Sequence, residues 1–244
     1  LGHSYLAAGL LTSQMKSRDR MMLSFNSNGP VGGITVESNV HGEVRGYLKN
    51  DAIELNEPLD SFDTAPFIGE GYLSVTRFPQ GARTPYTGQV ELEYQNVAED
   101  LANYFLRSEQ TPTAFNLSIQ FDEEGRTTGA GGLFVQAMPS ASDETRTELE
   151  EIIKDLPSLG RLFTTGETTS HLVHSHFSEF SPEIVGSRGV EFSCPCSRDR
   201  FARFLVALGP EELEDIEQNG PLPMRTTRWN CGRTYELDPE EVAG

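Results

Sequence analysis

Long apolar runs are missing from this sequence, and lysine is scarce. None of its 244 residues belongs to an apolar stretch that approaches the roughly 20 residues of a membrane-spanning helix. The three lysines, Lys16, Lys49 and Lys154, do not follow a glycine, so a Walker A phosphate loop is absent. With 19 basic and 37 acidic residues the net charge is −18, which repels a phosphate backbone. We therefore expect a soluble, cytoplasmic protein with neither membrane nor nucleic acid as a partner.

Motifs of enzyme chemistry are also lacking. The sequence contains neither H-E-x-x-H nor G-x-S-x-G, and its glycine-rich stretches lack the spacing G-x-G-x-x-G. The acidic run Asp122-Glu123-Glu124 precedes Gly125, a pattern typical of a solvated hairpin turn rather than of a catalytic carboxylate pair. The sequence predicts a protein that is not an enzyme.

Cysteine is rare and confined to the last 51 residues of the chain. Cys194, Cys196 and Cys231 are three in number, so they cannot pair completely within one chain. This excludes a secreted disulfide scaffold and favours a metal-binding or redox-active group of thiols.

The first part of the chain alternates apolar and polar residues between turn signals, which predicts antiparallel strands. A helix interrupts them, with Val97, Leu101, Tyr104 and Phe105 at near-helical spacing. We expect an α+β fold in which helices cover one face of a twisted sheet. The predicted strands contain the segments MMLSF, GGITVES, EVRGYL, YLSVTRF, TGQVELEY and AFNLSIQF.

Beyond Pro139 the pattern becomes helical. Leu149, Ile152, Ile153 and Leu156 share one face of an amphipathic helix that Ser142 or Asp143 would cap. A second short helix is predicted in HLVHSHFSEF. Because the two helices have too little apolar surface for a core of their own, they predict a linker that packs on a neighbour and is easily released.

The last segment, from Val190, is too short to be stable through burial of its hydrophobic core alone. Its length therefore predicts that a metal ion or a covalent cross-link stabilises it. Ser197 would cap a helix, and a second helix would begin after Gly209-Pro210. Two strands would meet at Asn230-Cys231-Gly232. The apolar face of the first helix would consist of Phe201, Phe204, Leu205 and Leu208.

Several long motifs, in order, resemble the heat shock protein 33 family. The resemblance extends from the first residues to the last. Because the sequence begins inside an apolar, helix-like stretch, we expect further residues to precede Leu1 in the protein. The motifs are GYLSVTRFPQG, PYTGQVELE, YFLRSEQTPT, AGGLFVQAMP and VEFSCPCSRDRFARFLVALGPEEL.

The resemblance implies a stress-response chaperone with three parts. These are a core domain at 1–139, a metastable helical linker at 140–189 and a zinc module at 190–244. In such proteins oxidation turns zinc-bound thiolates into disulfides, the linker and module unfold, and apolar surface becomes available to hold unfolding client proteins without ATP. A homodimer, especially on activation, is a further expectation.

This chain departs from the family pattern at one ligand. The family's four thiolates follow C-x-C and C-x-x-C, but Arg228 replaces the first cysteine of the second pair and leaves Arg228-Trp229-Asn230-Cys231. Closed structural zinc sites use four protein ligands, so zinc held by three thiolates would need water or a distant histidine. His171 and His174 share a helix face, whereas His176 points nearly opposite.

Three interpretations of Arg228 stay open. The site retains zinc with a weaker, more open coordination; or Arg228 partly replaces the cation beside an oxidisable, zinc-free thiol group; or Arg228 is a surface residue of a degenerate module. Three cysteines can close only one disulfide and leave one thiol over, so an oxidative switch would be less sensitive or less complete, or would be lost and leave activation by heat alone. We expect activation by oxidation, by heat, or by both. The rival functions are a thiol oxidoreductase and a zinc-ribbon module that docks one specific partner.

Overall fold

The computed structural model describes residues 1–54, 61–206, 209–220 and 223–237, which separate into two compact units, one of residues 1–191 and one that begins at Phe192. The helices of the larger unit are α1 (Gly2–Leu11), α2 (Ala65–Ile68), α3 (Val97–Arg107), α4 (Asp143–Asp155), α5 (Leu159–Thr164) and α6 (Thr169–His176). The strands are β1 (Arg20–Ser27), β2 (Ile34–Asn39), β3 (Glu43–Leu48), β4 (Gly71–Phe78), β5 (Tyr86–Glu91), β6 (Thr113–Phe121) and β7 (Thr127–Gln136). The short strand β8 (Glu191–Phe192) spans the point in the sequence where the first unit ends and the second begins.

In the part of the chain that the structure describes, six strands form the main sheet in the order β5-β4-β1-β2-β3-β8. The pairings among β1 to β5 are antiparallel, and Leu23 of the central strand lies opposite Val36 on one side and Val75 on the other. These three side chains are buried. Alternation therefore places one face of the sheet against the core, as the sequence pattern predicts.

Helix α1 lies between the main sheet and a second, two-stranded sheet made by β6 and β7. Its Tyr5 hydroxyl donates to the carbonyl of Gly46 in β3 at 2.8 Å, and a Cβ added to Gly2 would overlap Ile119 of β6. A helix made of small and apolar residues on all sides is suited to burial on both faces. The α+β class is confirmed, but the helix layer has a sheet on each side rather than covering a single sheet.

Helix α3 begins and ends as its sequence indicates. Asn96 is the N-cap, and its side-chain oxygen accepts from the backbone N–H of Ala98 at 2.9 Å. Asp100 is completely buried and accepts the N–H groups of Glu93 and Tyr94, so it holds the preceding loop in place. Paired hydrogen bonds are what allows a carboxylate to be buried there.

The smaller unit contains α7 (Arg198–Val206), α8 (Pro210–Asn219), β9 (Met224–Thr227) and β10 (Thr234–Leu237). These elements match the two helices and two strands that the sequence predicts. Of the predicted apolar face of α7, Leu208 and the side chains of Phe204 and Leu205 lie outside the described residues. Among the helices that the structure describes, none is both long and apolar enough to cross a bilayer.

Candidate redox and metal centre

Cys194 and Cys196 lie in the loop that leads into α7. Ser197 follows them and caps the helix, since its Oγ accepts the backbone N–H of Arg200 at 3.2 Å. The guanidinium of Arg200 in turn donates to the carbonyl of Pro195 at 3.4 Å. The cap and this return contact hold the loop at the N-terminus of α7, where the helix dipole favours negative charge.

Cys231 lies in the turn of the β9–β10 hairpin. Thr227 pairs with Thr234, and the turn is closed by the N–H of Arg228 to the carbonyl of Arg233 at 2.9 Å. The N–H of Gly232 returns to the carbonyl of Arg228 at 2.8 Å, with a φ of +64° at Gly232. Glycine adopts this left-handed conformation without steric cost, so the sequence N-C-G is suited to this turn.

The loop and the hairpin turn bring the three sulfurs together. Cys196 Sγ lies 3.4 Å from Cys194 Sγ and 3.1 Å from Cys231 Sγ, and all three lie within 4.8 Å of one another. The Tyr235 hydroxyl donates to Cys196 Sγ at 3.3 Å and lies 3.2 Å from its carbonyl oxygen. The ring of Tyr235 packs on Phe201 of α7 at 5.2 Å between centroids. Cys196 is thus the central sulfur, and Tyr235 connects it to the hairpin.

The surroundings of the thiols shift the pKa of Cys196 and the pKa of Cys231 in opposite directions. Burial opposes ionisation of Cys196, but hydrogen bonds from Tyr235 and the two other thiols, with the charge of Arg233, outweigh it and lower its pKa to about 7. Burial, with the sulfurs of Cys196 and Cys194 close by, raises the pKa of Cys231. Arg233 is a cation that acts on Cys196, and the role that the sequence suggests for Arg228 stays a prediction.

The donor set fits zinc in chemistry but supplies three ligands. Thiolates bind Zn²⁺ at about 2.3 Å, so tetrahedral coordination separates the sulfurs by about 3.8 Å. The sulfurs here need to move apart only slightly to accept the ion. No histidine or carboxylate joins them in the part of the chain that the structure describes. Arg228 cannot take the fourth place because a guanidinium has no lone pair to offer.

The histidines considered as a source of a fourth ligand make local contacts in α6. His171 Nδ1 lies 2.8 Å from a carboxylate oxygen of Glu167, and His174 Nδ1 lies 2.8 Å from the carbonyl of Ser170. Neither these residues nor His176 belongs to the thiol cluster within the described residues.

The predicted gating residues lie along α4 and at its end. Ser142 caps the helix, with its Oγ 3.2 Å from the N–H of Thr145. Ile152 and Ile153 are half-buried, as is Leu149, and α4 itself has no fully buried residue. Leu156, just past the helix, is buried at 9% exposure. The apolar stripe is therefore real but only partly covered.

A further helix, α5, docks much more closely, and the sequence pattern does not predict it. Leu159 is 1% exposed, and α5 lies on the β6–β7 hairpin at a separation that only glycine allows. A Cβ added to Gly131 of β7 would lie 2.7 Å from Leu159 Cβ. One added to Gly160 would lie 2.9 Å from the backbone nitrogen of Gln120. The glycines of AGG in β7 and of LGR in α5 were the available signal.

Hydrogen bonds fix the same contact. Ser158 caps α5, and its Oγ lies 2.6 Å from Ser118 Oγ of β6. Ser118 Oγ also accepts the backbone N–H of Gly160 at 3.0 Å. Helices α4 to α6 and β7 then share one apolar cluster, whose buried members are Leu156, Leu159, Leu172 and Phe177.

The family model described as "Hsp33 protein" matches residues 1–238 of this chain. The "33 kDa chaperonin" of Desulforamulus reducens is 33% identical over 99% of this chain and 82% of its own length. That of Levilactobacillus brevis is 35% identical over the same shares.

A crystal structure of the 33 kDa chaperonin, a heat shock protein 33 homologue, from Thermotoga maritima matches with a TM-score of 0.82. The two chains are 32% identical, and the match covers 99% of this chain and 82% of that one. The relatives belong to a non-enzymatic chaperone family, in agreement with the prediction that this chain is not an enzyme. This chain belongs to the Hsp33 family of chaperones.

Proposed function

We propose that this protein is a cytoplasmic, ATP-independent holdase whose client-binding surface lies beneath a releasable linker. The observation that carries the proposal is the apolar cluster that α4, α5 and α6 share with the β6–β7 hairpin. Helices α4, α5 and α6 cover this cluster. When they detach, the apolar side chains of the linker and of the hairpin lose their cover together.

The surface that release would expose has the chemistry a holdase needs. On the hairpin it includes Leu133, and on the linker Leu159, Phe163, Leu172 and Phe177. Unfolding proteins expose apolar segments, and an apolar patch of several hundred Å² is a typical binding site for them. The net charge of −18 keeps a protein with such a surface in solution.

The proposed division of labour follows the predicted boundaries. Residues 1–139 would form the core, 140–189 the linker and 190–244 the sensing module. A linker whose first helix has no fully buried residue has a low free energy of local opening. We propose that heat, oxidation of the thiols, or both release it.

Cys194, Cys196 and Cys231 would hold a zinc ion in the resting protein, which would supply a cross-link between the loop and the hairpin. Tyr235 would keep Cys196 in place whether or not a metal is bound, because it contacts both the sulfur and the carbonyl of that residue. Loss of this cross-link would lower the stability of the module.

The test is light scattering of a thermally denaturing client, without nucleotide, at rising ratios of this protein to client. We expect suppression by heated protein and little by resting protein, with unrelated clients protected alike. A failure to keep any client in solution after heating or oxidation would overturn the proposal. Protection of one client alone would indicate a specific adaptor, and reduction of insulin disulfides a thiol oxidoreductase. Zinc measured in protein purified under reducing conditions decides whether the three thiols hold the metal.

A further inference from the structure

The three sulfurs form a row with Cys196 in the middle. Cys196 can pair with Cys194, at 3.4 Å between the sulfurs, or with Cys231, at 3.1 Å. Any disulfide between neighbouring sulfurs of this row therefore uses Cys196. The question is which neighbour it takes.

Backbone constraints favour the hairpin sulfur. Only Pro195 separates Cys194 from Cys196, so a bond between them closes a small ring around a residue whose φ is fixed. Cys231 approaches from a separate element, and the Tyr235 hydroxyl holds that element on the carbonyl of Cys196 at 3.2 Å. A bond to Cys231 joins two segments that already lie in contact. It therefore requires little movement of either backbone.

We propose that peroxide converts this chain to a single Cys196–Cys231 disulfide that fastens the hairpin to the loop and leaves Cys194 as a thiol. The family pattern of four cysteines permits two disulfides within C-x-C and C-x-x-C, each inside one segment. Arg228 removes the partner that Cys231 would have in its own turn. The lost cysteine redirects Cys231 to the other segment.

The chemistry balances with hydrogen peroxide as the oxidant. The Cys196 thiol first loses its proton, and the resulting thiolate attacks one peroxide oxygen. The O–O bond breaks, and the departing hydroxide takes up the proton that the thiol lost and leaves as water, so that a sulfenic acid remains. The sulfur of Cys231 then attacks the sulfenic sulfur, the S–O bond breaks, and a second water leaves with the Cys231 proton. Two thiols lose two electrons in total, and one peroxide is reduced to two water molecules.

The consequence for regulation rests on the proposed function, whereas the connectivity does not. A bond across the module restricts its unfolded state, because it closes a loop of more than 30 residues. Of the two signals proposed above, heat would then release the linker, because oxidation would hold the module folded instead of opening it. Oxidised protein would need a higher temperature for release than reduced, metal-free protein.

Peptide mapping of the full chain tests the connectivity directly. Trypsin cleaves after Arg188, Arg198, Arg228 and Arg233, so Cys194 and Cys196 share peptide 189–198 while Cys231 lies in peptide 229–233. Chelator-treated protein is oxidised with peroxide, alkylated and digested without reductant. We expect the two peptides to be joined, with one alkylated cysteine at position 194 in the fragment spectrum. Peptide 189–198 closed on itself with alkylated Cys231, a bond from Cys194 to Cys231, or a disulfide between chains would overturn the proposal.

Two variants sharpen the result. Cys194→Ser keeps the proposed pair and should give the same linked peptides in the same yield. Cys231→Ser should lose the linked species and leave alkylated or over-oxidised cysteine in its place. Loss of the linked species in Cys194→Ser, with Cys231 left free, would contradict the assignment.

Hydrogen exchange of the hairpin measures the fastening. After chelation, amide exchange in residues 224–237 should be slower in oxidised than in reduced protein, by a factor on the order of 100. Equal or faster exchange would overturn the fastening. None of these measurements depends on client binding, so failure of the light-scattering test and failure of this inference are distinguishable.

Discussion

Helices α4 and α5 belong to the same linker but meet the rest of the molecule in different ways. Helix α4 has 13 residues, an apolar stripe and a side-chain cap, yet none of its residues is fully buried. Helix α5 has six residues, of which Leu159 and Gly160 are buried. The helix that looks stronger in the sequence is the more weakly docked.

Glycine explains the difference. Gly160 in α5 and Gly129 and Gly131 in β7 remove the side chains that would otherwise separate the helix from the hairpin. Dispersion contacts decline steeply with distance, so close approach of two backbones stabilises packing more than the same apolar area across a gap. An amphipathic stripe predicts which face is covered. It does not predict how closely.

The largest effect is expected from separating α5 from the hairpin. In Gly160→Val the new side chain would meet the backbone of Gln120 and Ile119, which cannot move aside as a flexible side chain would. We expect the docking of α5 to be weakened by about 3 kcal/mol. Holdase activity should therefore appear without heating. Light scattering of a client and hydrogen exchange of residues 159–164 measure the two effects.

The matched control is Gly186→Val, where a Cβ meets nothing within 4 Å and φ is not in the left-handed region. It should behave as the unmodified protein does. Tight docking of α5 would be wrong if both variants stayed inactive when unheated and exchanged alike.

Leu159→Ala should have the next largest effect. Leu159 is 1% exposed and lies against Gly131, so its truncation leaves a cavity and costs about 2 to 4 kcal/mol. We expect the linker to be released at a lower temperature, which limited proteolysis at rising temperature measures. Leu106→Ala removes an equal volume from a leucine that is 56% exposed and should leave the temperature unchanged. Equal shifts in both variants would contradict the prediction.

Replacing the α4 stripe should have a smaller effect. In the double variant Ile152→Ser and Ile153→Ser, half-buried side chains lose about 1 to 2 kcal/mol of packing together. Resting holdase activity and protease sensitivity should both rise modestly. Glu150→Ser with Glu151→Ser, on the exposed side of the same helix, is the control. Unchanged activity together with unchanged proteolysis would mean that α4 does not gate the surface.

The smallest effect is expected at the polar contact between α4 and the hairpin. Asn116 of β6 donates to the carbonyl of Ile153 at 3.4 Å, a long hydrogen bond worth about 0.5 kcal/mol. Asn116→Ala should slightly speed exchange in residues 143–155 and leave α5 unaffected. Gln120→Ala, an exposed position on the same strand, should change neither helix. A change in α5 as large as that in α4 would show that the two helices open as one unit.

The sequence predicted most elements because their patterns are local. Alternation identifies β1 to β6, near-helical spacing identifies α3, and Ser142 marks the start of α4. Helix α5 was not predicted because its six residues make less than two turns and include a glycine, so propensity and periodicity carry little signal. Its existence depends on the hairpin, a tertiary effect.

The same distinction applies to the thiol cluster. Residue type and spacing identify Cys194, Cys196 and Cys231, but not Tyr235 or Arg233, which act on Cys196 only once the hairpin folds back on the loop. The sandwiched position of α1 was also missed, although its small and apolar composition on every side is compatible with burial between two sheets.

The turn around Cys231 is closed through main-chain atoms of residue 228, both as donor to Arg233 and as acceptor from Gly232. Any residue other than proline can make these two bonds, whatever its side chain. Position 228 can therefore be substituted without loss of the turn. A single codon change could restore a fourth sulfur or remove it again while the hairpin keeps its main-chain hydrogen bonds.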